Sequence, residues 1–301
     1  MVSKIRPRAH EQRGSVTDPT NAWLNQYTAN TADSYRRDLN QFSNWLRHTT
    51  GKTDLLDVER IDVQNWLKHL RTRKHLTDPT IRRKASAVSS FLEYCAQEDL
   101  IDHNPARHTR RPTGETMVKL GLTETQARQL VTAARNHSPT AYALILVMIT
   151  SALRISEALG IDVNHITIDA GDNVVQVTRK GGTRAYIYIT PTVRDALHTA
   201  ANNREAGPVF LGPRQRRLGR RRAYTLLKEL GATAGIGTVT PPLLRHTAAT
   251  NAIRAGATEG EVQDLLGHKS GDTTRRYLRA LKRRERRPAD QLTQLLTGER
   301  P

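Results

Sequence analysis

The chain has 301 residues, and its 47 lysines and arginines outnumber its 29 acidic residues so that the formal net charge is +18. A hydrophobic fraction of 37% excludes a chain that is disordered by composition, and the length predicts two domains of about 100–200 residues each. So basic a protein is expected to bind nucleic acid or an anionic membrane surface, but no apolar run reaches the ~18 residues of a membrane span.

Residues 1–17 are polar and basic, without the apolar stretch of a secretory signal, and are expected to form a flexible basic lead. The single cysteine, Cys95, excludes an internal disulfide, and its apolar helical surroundings predict a small buried residue. These features predict a soluble, cytoplasmic, nucleoid-associated protein that binds nucleic acid and no membrane.

Residues 18–107 are predicted to form a helical domain, because apolar residues recur at helical spacing in three successive segments. The apolar faces are Tyr35, Leu39, Phe42 and Leu46, then Val63, Trp66, Leu67 and Leu70, then Ile81, Ala85, Val88, Leu92 and Cys95. Asp78 and Pro79 predict the N-cap and the first residue of the third helix.

A second domain is predicted over residues 120–301, after a polar and basic linker at 108–119 that contains proline and glycine. It opens at Thr123, which with Gln126 three residues later has the pattern of a capping box. The most apolar helix of the chain is predicted from about Pro139 to Leu153.

The hydrophobic period then changes from helical to two, which predicts strands at residues 174–177 and 185–189. Lys180, followed by two glycines, is expected at the tip of the hairpin between them. Helices resume at about Arg220, and one of them is expected to start with a capping box at Thr258.

The spacing of four residues carries chemistry: Tyr277 follows His268 by nine positions, with Arg245 and Arg154 upstream. A tyrosine hydroxyl, with an ordinary pKa near ~10, is a poor nucleophile for most reactions. It suits a phosphodiester, because two arginines can clamp the non-bridging oxygens and stabilise the charge of the transition state. A covalent phosphotyrosine conserves the bond energy, so that a strand is cut and resealed without ATP.

Taken singly, the residues have ordinary explanations, since Arg154 and Glu157 match an i, i+3 helix pair and Lys180 a solvent-exposed turn. Their order together resembles the tyrosine recombinase (phage integrase) family. The matching segments are Ser151–Leu159 for the first arginine box, usually Thr-Gly-Leu-Arg-x-x-Glu-Leu, Leu244–Thr250 for the second, and Leu265–His268 with Thr273–Tyr277 for the third box and the nucleophile. Lys180 matches the family's β-hairpin lysine, and the helical first domain is similar to its core-binding domain. The resemblance covers roughly residues 18–298 and indicates the compact two-domain Xer-like or simple integrase type, without an arm-binding domain.

The resemblance implies a catalytic role for five residues. Arg154 and Arg245 would grip the scissile phosphate, and Tyr277 would attack it to leave a 3′-phosphotyrosine and a free 5′-hydroxyl. Lys180 would donate a proton to the leaving 5′-oxygen, and His268 would hydrogen-bond a non-bridging oxygen. This chemistry needs neither a metal nor another cofactor.

The same resemblance gives Glu157 the task of orienting Arg154, and it makes His246 the family's own second-box histidine. Two departures stand out. The first box has Ser-Ala where Thr-Gly is usual, a change that is expected to be tolerated. In the second box, usually His-x-Leu-Arg, Pro242 stands three residues before Arg245 and offers neither a proton acceptor nor a hydrogen-bond donor. His246 is turned ~100° from Arg245 on a helix and is not expected to substitute, so slower chemistry is predicted rather than none.

Two groups of basic residues are expected to contact DNA. They are Arg82, Arg83 and Lys84 on the third predicted helix, and Arg214, Arg216, Arg217, Arg220, Arg221 and Arg222 before an apparent helix at residues 223–230. A solvated surface is the alternative for both groups, and a localisation signal for the second. Leu292, Leu295 and Leu296 at helical spacing predict an amphipathic tail helix, which either caps its own core or packs on a neighbouring protomer of a tetramer on DNA.

The predicted fold is mainly α with a small antiparallel β-sheet: a helical core-binding domain followed by an α+β catalytic domain. The predicted function is site-specific recombination of double-stranded DNA. The alternatives are a catalytically impaired DNA-binding or regulatory member of the family and a type IB topoisomerase-like enzyme. The sequence leaves open the DNA site, the choice among integration, excision and dimer resolution, and the need for an accessory or directionality factor.

Overall fold

The computed structural model describes residues 18–112, 121–179 and 182–267. The chain divides into two compact units, Met1–Thr116 and Met117–Pro301. Each unit has a hydrophobic core of its own.

The described part of the first unit contains the helices α1 (Pro19–Leu24), α2 (Ala29–Thr50), α3 (Arg60–Thr72) and α4 (Asp78–Gln97). α1 starts where the Asp18 carboxylate accepts the main-chain N–H of Thr20 at 3.0 Å, which satisfies a donor that the helix itself leaves unpaired. α4 starts one residue earlier than expected, because Thr77 and not Asp78 is its N-cap and Pro79 takes its second position.

The predicted apolar faces of α2, α3 and α4 form the core of the first unit. All of their residues are buried except Tyr35, which is partly buried and stacks on Trp23 with ring centroids 5.4 Å apart. Cys95 is fully buried as expected, and burial raises the pKa of its thiol to about 12. The thiol is therefore neutral and unreactive at physiological pH.

The second unit combines helices with a small sheet. Its described elements are α5 (Glu124–His137), α6 (Pro139–Thr150), α7 (Ile155–Leu159), β1 (Ile166–Asp169), β2 (Asp172–Thr178), β3 (Arg184–Tyr188), α8 (Pro191–Ala200), α9 (Arg220–Thr233), α10 (Pro241–Arg254) and α11 (Glu259–Leu266). The fold class is the predicted one: a mainly helical chain with a small antiparallel sheet, in which a helical unit precedes an α+β unit.

The three strands lie in the order β1-β2-β3, and both pairings are antiparallel. The predicted hairpin is β2 with β3, and Val175 and Val177 of β2 point into the core. β1 was not predicted from the sequence, because three of its four residues are exposed and leave no alternating pattern. Ala170 and Gly171 form the tight β1–β2 turn, with φ of 48° and 91°.

α6 is the central helix of the second unit, since α5, α8 and α10 all pack against it. It is apolar on nearly every side, as a helix surrounded by protein must be. The expectation that it continues to Leu153 is wrong. α6 ends at Thr150, and Ala152 takes a left-handed φ of 49° that breaks the helix and lets α7 begin with Arg154 as its N-cap.

Within the described ranges, no helix combines the length and the apolar character that crossing a membrane requires.

Candidate active site

Arg154 stands at the start of α7 and is held by Glu157 at two points. Oε2 of Glu157 accepts the main-chain N–H of Arg154 at 2.8 Å, and Oε1 accepts its guanidinium Nη1 at 2.7 Å. The Glu157 side chain is only 2% exposed, whereas that of Arg154 is 36% exposed. A buried carboxylate thus orients a guanidinium that remains open to solvent.

The turn before Arg154 is also bound by the second arginine. Arg245, in α10, donates from Nη1 to the main-chain carbonyl of Ala152 at 2.6 Å. Its Nη2 donates to the main-chain carbonyl of Leu266, the last residue of α11. Arg245 therefore joins the turn that leads to Arg154 with the helix end that leads to His268.

α10 is placed by its N-cap and by a close contact with the start of the second unit. The Thr240 hydroxyl accepts the main-chain N–H of Leu243 at 3.4 Å. The main-chain N–H of Leu122 donates to the Thr247 hydroxyl at 2.9 Å. Gly121 lies so close to α10 that a Cβ at this position would overlap the main chain of Thr247.

α11 begins with the predicted capping box. The Thr258 hydroxyl accepts the main-chain N–H of Glu261 at 3.3 Å, and the Glu261 carboxylate accepts the main-chain N–H of Thr258 at 2.7 Å. The Thr258 main-chain N–H and then its hydroxyl hold the pKa of Glu261 below its ordinary value. The helix ends at Gly267, whose φ of 57° is left-handed.

The β2–β3 hairpin reaches the same helix end through Arg179, a residue that the sequence did not single out. Its Nη1 donates to the Leu266 carbonyl at 3.3 Å, so this one oxygen accepts from both Arg179 and Arg245. A Cβ at Gly267 would overlap the Arg179 guanidinium, so this guanidinium lies close against the glycine main chain. The signal that could have found Arg179 is its place beside Lys180, with which it forms a basic pair in the sequence.

Three predicted catalytic residues, Lys180, His268 and Tyr277, lie outside the described residues. Described neighbours of two of them are nevertheless in contact. Arg179, which precedes Lys180, bonds to Leu266, which stands two residues before His268.

Pro242 lies exposed in the first turn of α10. It is three residues before Arg245 and four before His246, so all three positions lie on one side of the helix. The proline does not disturb α10, because N–H groups in the first turn have no acceptor within the helix. His246 is partly buried.

Arg217 differs from the other arginines of its group because it is bonded into the fold. Its Nη1 donates to the carbonyl of Leu159 at 2.8 Å, and its Nη2 donates to the carboxylate of Asp162 at 2.6 Å. Leu159 is the last residue of α7, so Arg217 caps the far end of the helix that starts at Arg154. We therefore separate Arg217 from the expected DNA contacts.

The other five arginines of the group are all exposed. Arg214 and Arg216 precede α9, whereas Arg220, Arg221 and Arg222 form its first turn. α9 thus begins at Arg220, where helices were expected to resume, and it includes three arginines that precede the helix expected at residues 223–230. Three cations at the positive end of a helix dipole repel one another and the dipole, so this position favours a bound anion.

In the first unit, Arg83 and Lys84 of α4 are engaged by α2. The carboxylate of Asp38, 2% exposed, accepts from Arg83 Nη2 at 3.1 Å and from Lys84 Nζ at 2.8 Å. The Lys84 side chain is 12% exposed. These two cations tie the helices together, and the sequence analysis did not predict that Asp38 pairs with them. Arg82 is partly buried.

Two family profiles match this chain. The phage integrase family matches residues 121–284, more than half of the chain. The N-terminal SAM-like domain of phage integrases matches residues 24–99.

Curated relatives match along most of their length. A tyrosine recombinase XerD of Mycobacterium tuberculosis (strain CDC 1551 / Oshkosh) is 32% identical over 275 residues, which cover 83% of this chain and 86% of that protein. A tyrosine recombinase XerC of Roseiflexus sp. (strain RS-1) is 28% identical over 263 residues, with 83% of each chain covered.

Solved structures share the fold. The Tn1549 transposon integrase in complex with a circular intermediate DNA has a TM-score of 0.69 at 18% identity and covers 89% of this chain and 99% of its own. The XerH site-specific recombinase bound to palindromic difH has a TM-score of 0.67 at 16% identity, with 85% and 80% covered. This chain therefore belongs to the phage integrase family and is a tyrosine-type site-specific DNA recombinase.

Proposed function

We propose that this recombinase cuts and rejoins double-stranded DNA through Tyr277, and that Arg154 and Arg245 bind the scissile phosphate. The observation that carries this assignment is that Arg245 donates two hydrogen bonds, one to the main-chain carbonyl of Ala152 and one to that of Leu266. It brings the flanks of the first and third arginine boxes to the second, although they are far apart in the sequence. Family membership and the charge of +18 support DNA as the partner.

The proposed reaction conserves the number of phosphoester bonds, because one forms for each one that breaks. The Tyr277 hydroxyl loses its proton to solvent as its oxygen attacks the phosphorus, the bond from phosphorus to the 5′-oxygen breaks, and Lys180 protonates that oxygen. A 5′-hydroxyl of a second strand then attacks the phosphotyrosine, returns the tyrosine and restores a phosphodiester. His268 donates to a non-bridging oxygen, and Glu157 holds Arg154 in place by the two bonds described above.

Pro242 makes this site poorer by one donor than the family's usual second box. Clamping of the phosphate by cations supplies the larger share of the stabilisation, so we propose reduced speed and not loss of activity. A catalytically impaired regulatory protein is the second candidate, and Pro242 is the observation that favours it.

The proposed DNA grip uses Arg214, Arg216 and the first turn of α9. The cations and the free N–H groups of that turn favour contact with DNA phosphates, which gives affinity without sequence specificity.

A homo-tetramer on DNA, in the cytoplasm and at the nucleoid, follows the family expectation. In that assembly the tail at residues 289–301 would reach a neighbouring protomer. Deletion of this tail should then reduce cooperative assembly more than single-site binding, and an equal reduction of both contradicts the tail's role.

Nicked duplexes taken from the DNA that flanks the gene test the proposed chemistry. The protein is incubated with them, and a denaturing gel reports a covalent adduct. An adduct that is lost in Tyr277→Phe supports the proposal. DNA binding without any adduct in the parent protein supports the regulatory candidate, and relaxation of a supercoiled plasmid without any recombinant product supports a topoisomerase-like activity.

A further inference from the structure

Arg179, the residue that follows β2, brings a third guanidinium to the candidate active site. Arg179 is half-buried, and its Nη1 lies 3.3 Å from the Leu266 carbonyl, which also accepts from Arg245. Two guanidiniums therefore lie within two hydrogen-bond lengths of each other at the residue that ends α11.

Arg179 keeps hydrogen-bond donors beyond the one that bonds to the shared acceptor. An arginine carries five N–H donors, and the contact with Leu266 takes one of them. Among the described residues, no carboxylate forms an ion pair with Arg179, in contrast to Arg154 with its buried Glu157. The neutral Leu266 carbonyl does not balance the positive charge of Arg179, so this guanidinium favours a nearby anion.

The backbone around Arg179 fixes where its charge lies. The main-chain N–H of Arg179 donates to the Thr183 carbonyl at 2.7 Å, and the Gly182 N–H donates to the Arg179 carbonyl at 3.1 Å, which closes the hairpin. On the other side, Gly267 leaves the space that the guanidinium fills. The hairpin and the end of α11 together hold the Arg179 guanidinium beside Leu266 and Gly267, the two residues that precede His268.

On this basis we propose that Arg179 is a phosphate-binding residue of the recombination reaction. It supplies a cationic donor to a non-bridging oxygen of the scissile phosphate in a site where Pro242 removes the usual one. This inference rests on the proposed chemistry of Tyr277. The role is electrostatic, since no bond of the arginine is made or broken.

The test compares Arg179→Met and Arg179→Lys with the parent protein on a nicked duplex that the parent cleaves. One duplex carries the ordinary scissile phosphate, and the other carries a methylphosphonate there, which has lost the negative charge. Arg128→Met is the matched control, because Arg128 pairs with Glu124 on an exposed face of α5 and its loss removes the same charge. Unfolding by urea verifies that all variants are folded.

On the ordinary phosphate, Arg179→Met should cleave on the order of 100-fold more slowly, Arg179→Lys should lose less, and Arg128→Met should match the parent. On the methylphosphonate, the difference between parent and Arg179→Met should largely vanish, because the charge that Arg179 neutralises is absent.

Equal slowing of Arg179→Met on both duplexes would overturn the inference and make Arg179 a brace for α11. Cleavage at the parent rate by Arg179→Met would overturn it as well, while the Tyr277 adduct of the parent would leave the proposed function intact. Absence of a covalent adduct in the parent protein would overturn both the proposed function and the inference about Arg179.

Discussion

Arg154 and Glu157 are joined twice, through the main-chain N–H at 2.8 Å and through the guanidinium at 2.7 Å. The first bond starts α7 and the second aims the arginine, so one buried carboxylate serves both the fold and the site. The two tasks can be separated by substitution.

Glu157→Gln keeps an oxygen for the main-chain N–H of Arg154 but removes the negative charge. We expect a cleavage rate reduced by about tenfold with little loss of stability, because the amide nitrogen that replaces the second oxygen is a donor and cannot accept from the Arg154 guanidinium. Glu157→Ala should also lower the free energy of unfolding by about 1–3 kcal/mol, since a buried N–H loses its acceptor. Urea unfolding and the nicked-duplex assay measure the two effects. Equal stability of the two variants would contradict the double role.

Pro242→His should raise the cleavage rate by about tenfold or more, because it restores an acid–base group three residues before Arg245. The position is exposed and lies in the first turn of α10, so the substitution costs the fold little. Pro242→Ala is the control for loss of the ring alone and should leave the rate unchanged. Single-turnover cleavage measures all three proteins, and an unchanged or lower rate in Pro242→His would refute the expectation.

Ala152→Val should destabilise the protein by about 2–3 kcal/mol, because a β-branched residue is strained at the φ of 49° and adds volume at a fully buried site. Ala152→Gly relieves strain but removes a buried methyl group, and should change the free energy of unfolding by less than about 1 kcal/mol. Urea unfolding compares them. If Ala152→Val and Ala152→Gly were both as stable as the parent, a left-handed conformation of residue 152 would be excluded.

Gly121→Ala should lower the free energy of unfolding by about 1–3 kcal/mol, because its Cβ would overlap the main chain of Thr247 and push α10 away. Gly260→Ala is a matched control on an exposed position of α11 with nothing within 4 Å of the added Cβ. It should stabilise by up to about 1 kcal/mol. Thermal unfolding of both variants decides the matter, and a neutral Gly121→Ala would exclude the close contact.

Arg216→Ala and Arg217→Ala should have different effects, although the residues are adjacent. Arg216→Ala is expected to weaken DNA binding and reduce the slope of log affinity against log salt by about 1, with unchanged stability. Arg217→Ala removes the bonds to Leu159 and Asp162 and should cost about 1–2 kcal/mol of stability. DNA titrations at several salt concentrations, with urea unfolding alongside, separate the two. A larger change of salt slope in Arg217→Ala would reverse the assignment.

Much of the fold could be predicted because its signals are local. The faces of α2, α3 and α4 follow from apolar periodicity, and the capping boxes at Thr123 and Thr258 from two residues each. Where local signals were weak or misleading, prediction failed. β1 has too few buried residues to alternate, and α6 continues in pattern beyond Thr150 but is broken by an alanine that carries no turn signal.

The order of the arginine boxes determined the family, and with it the residues proposed for the chemistry. Which groups hold those residues was decided only by the tertiary structure. The partners of Arg245 are the carbonyls of Ala152 and Leu266, 93 and 21 residues away in the chain, and Arg179 reaches Leu266 across 87 residues. Side-chain type and spacing are written in the sequence, whereas every residue has a main-chain carbonyl. Which carbonyl becomes an acceptor depends on where a helix ends and what folds against it.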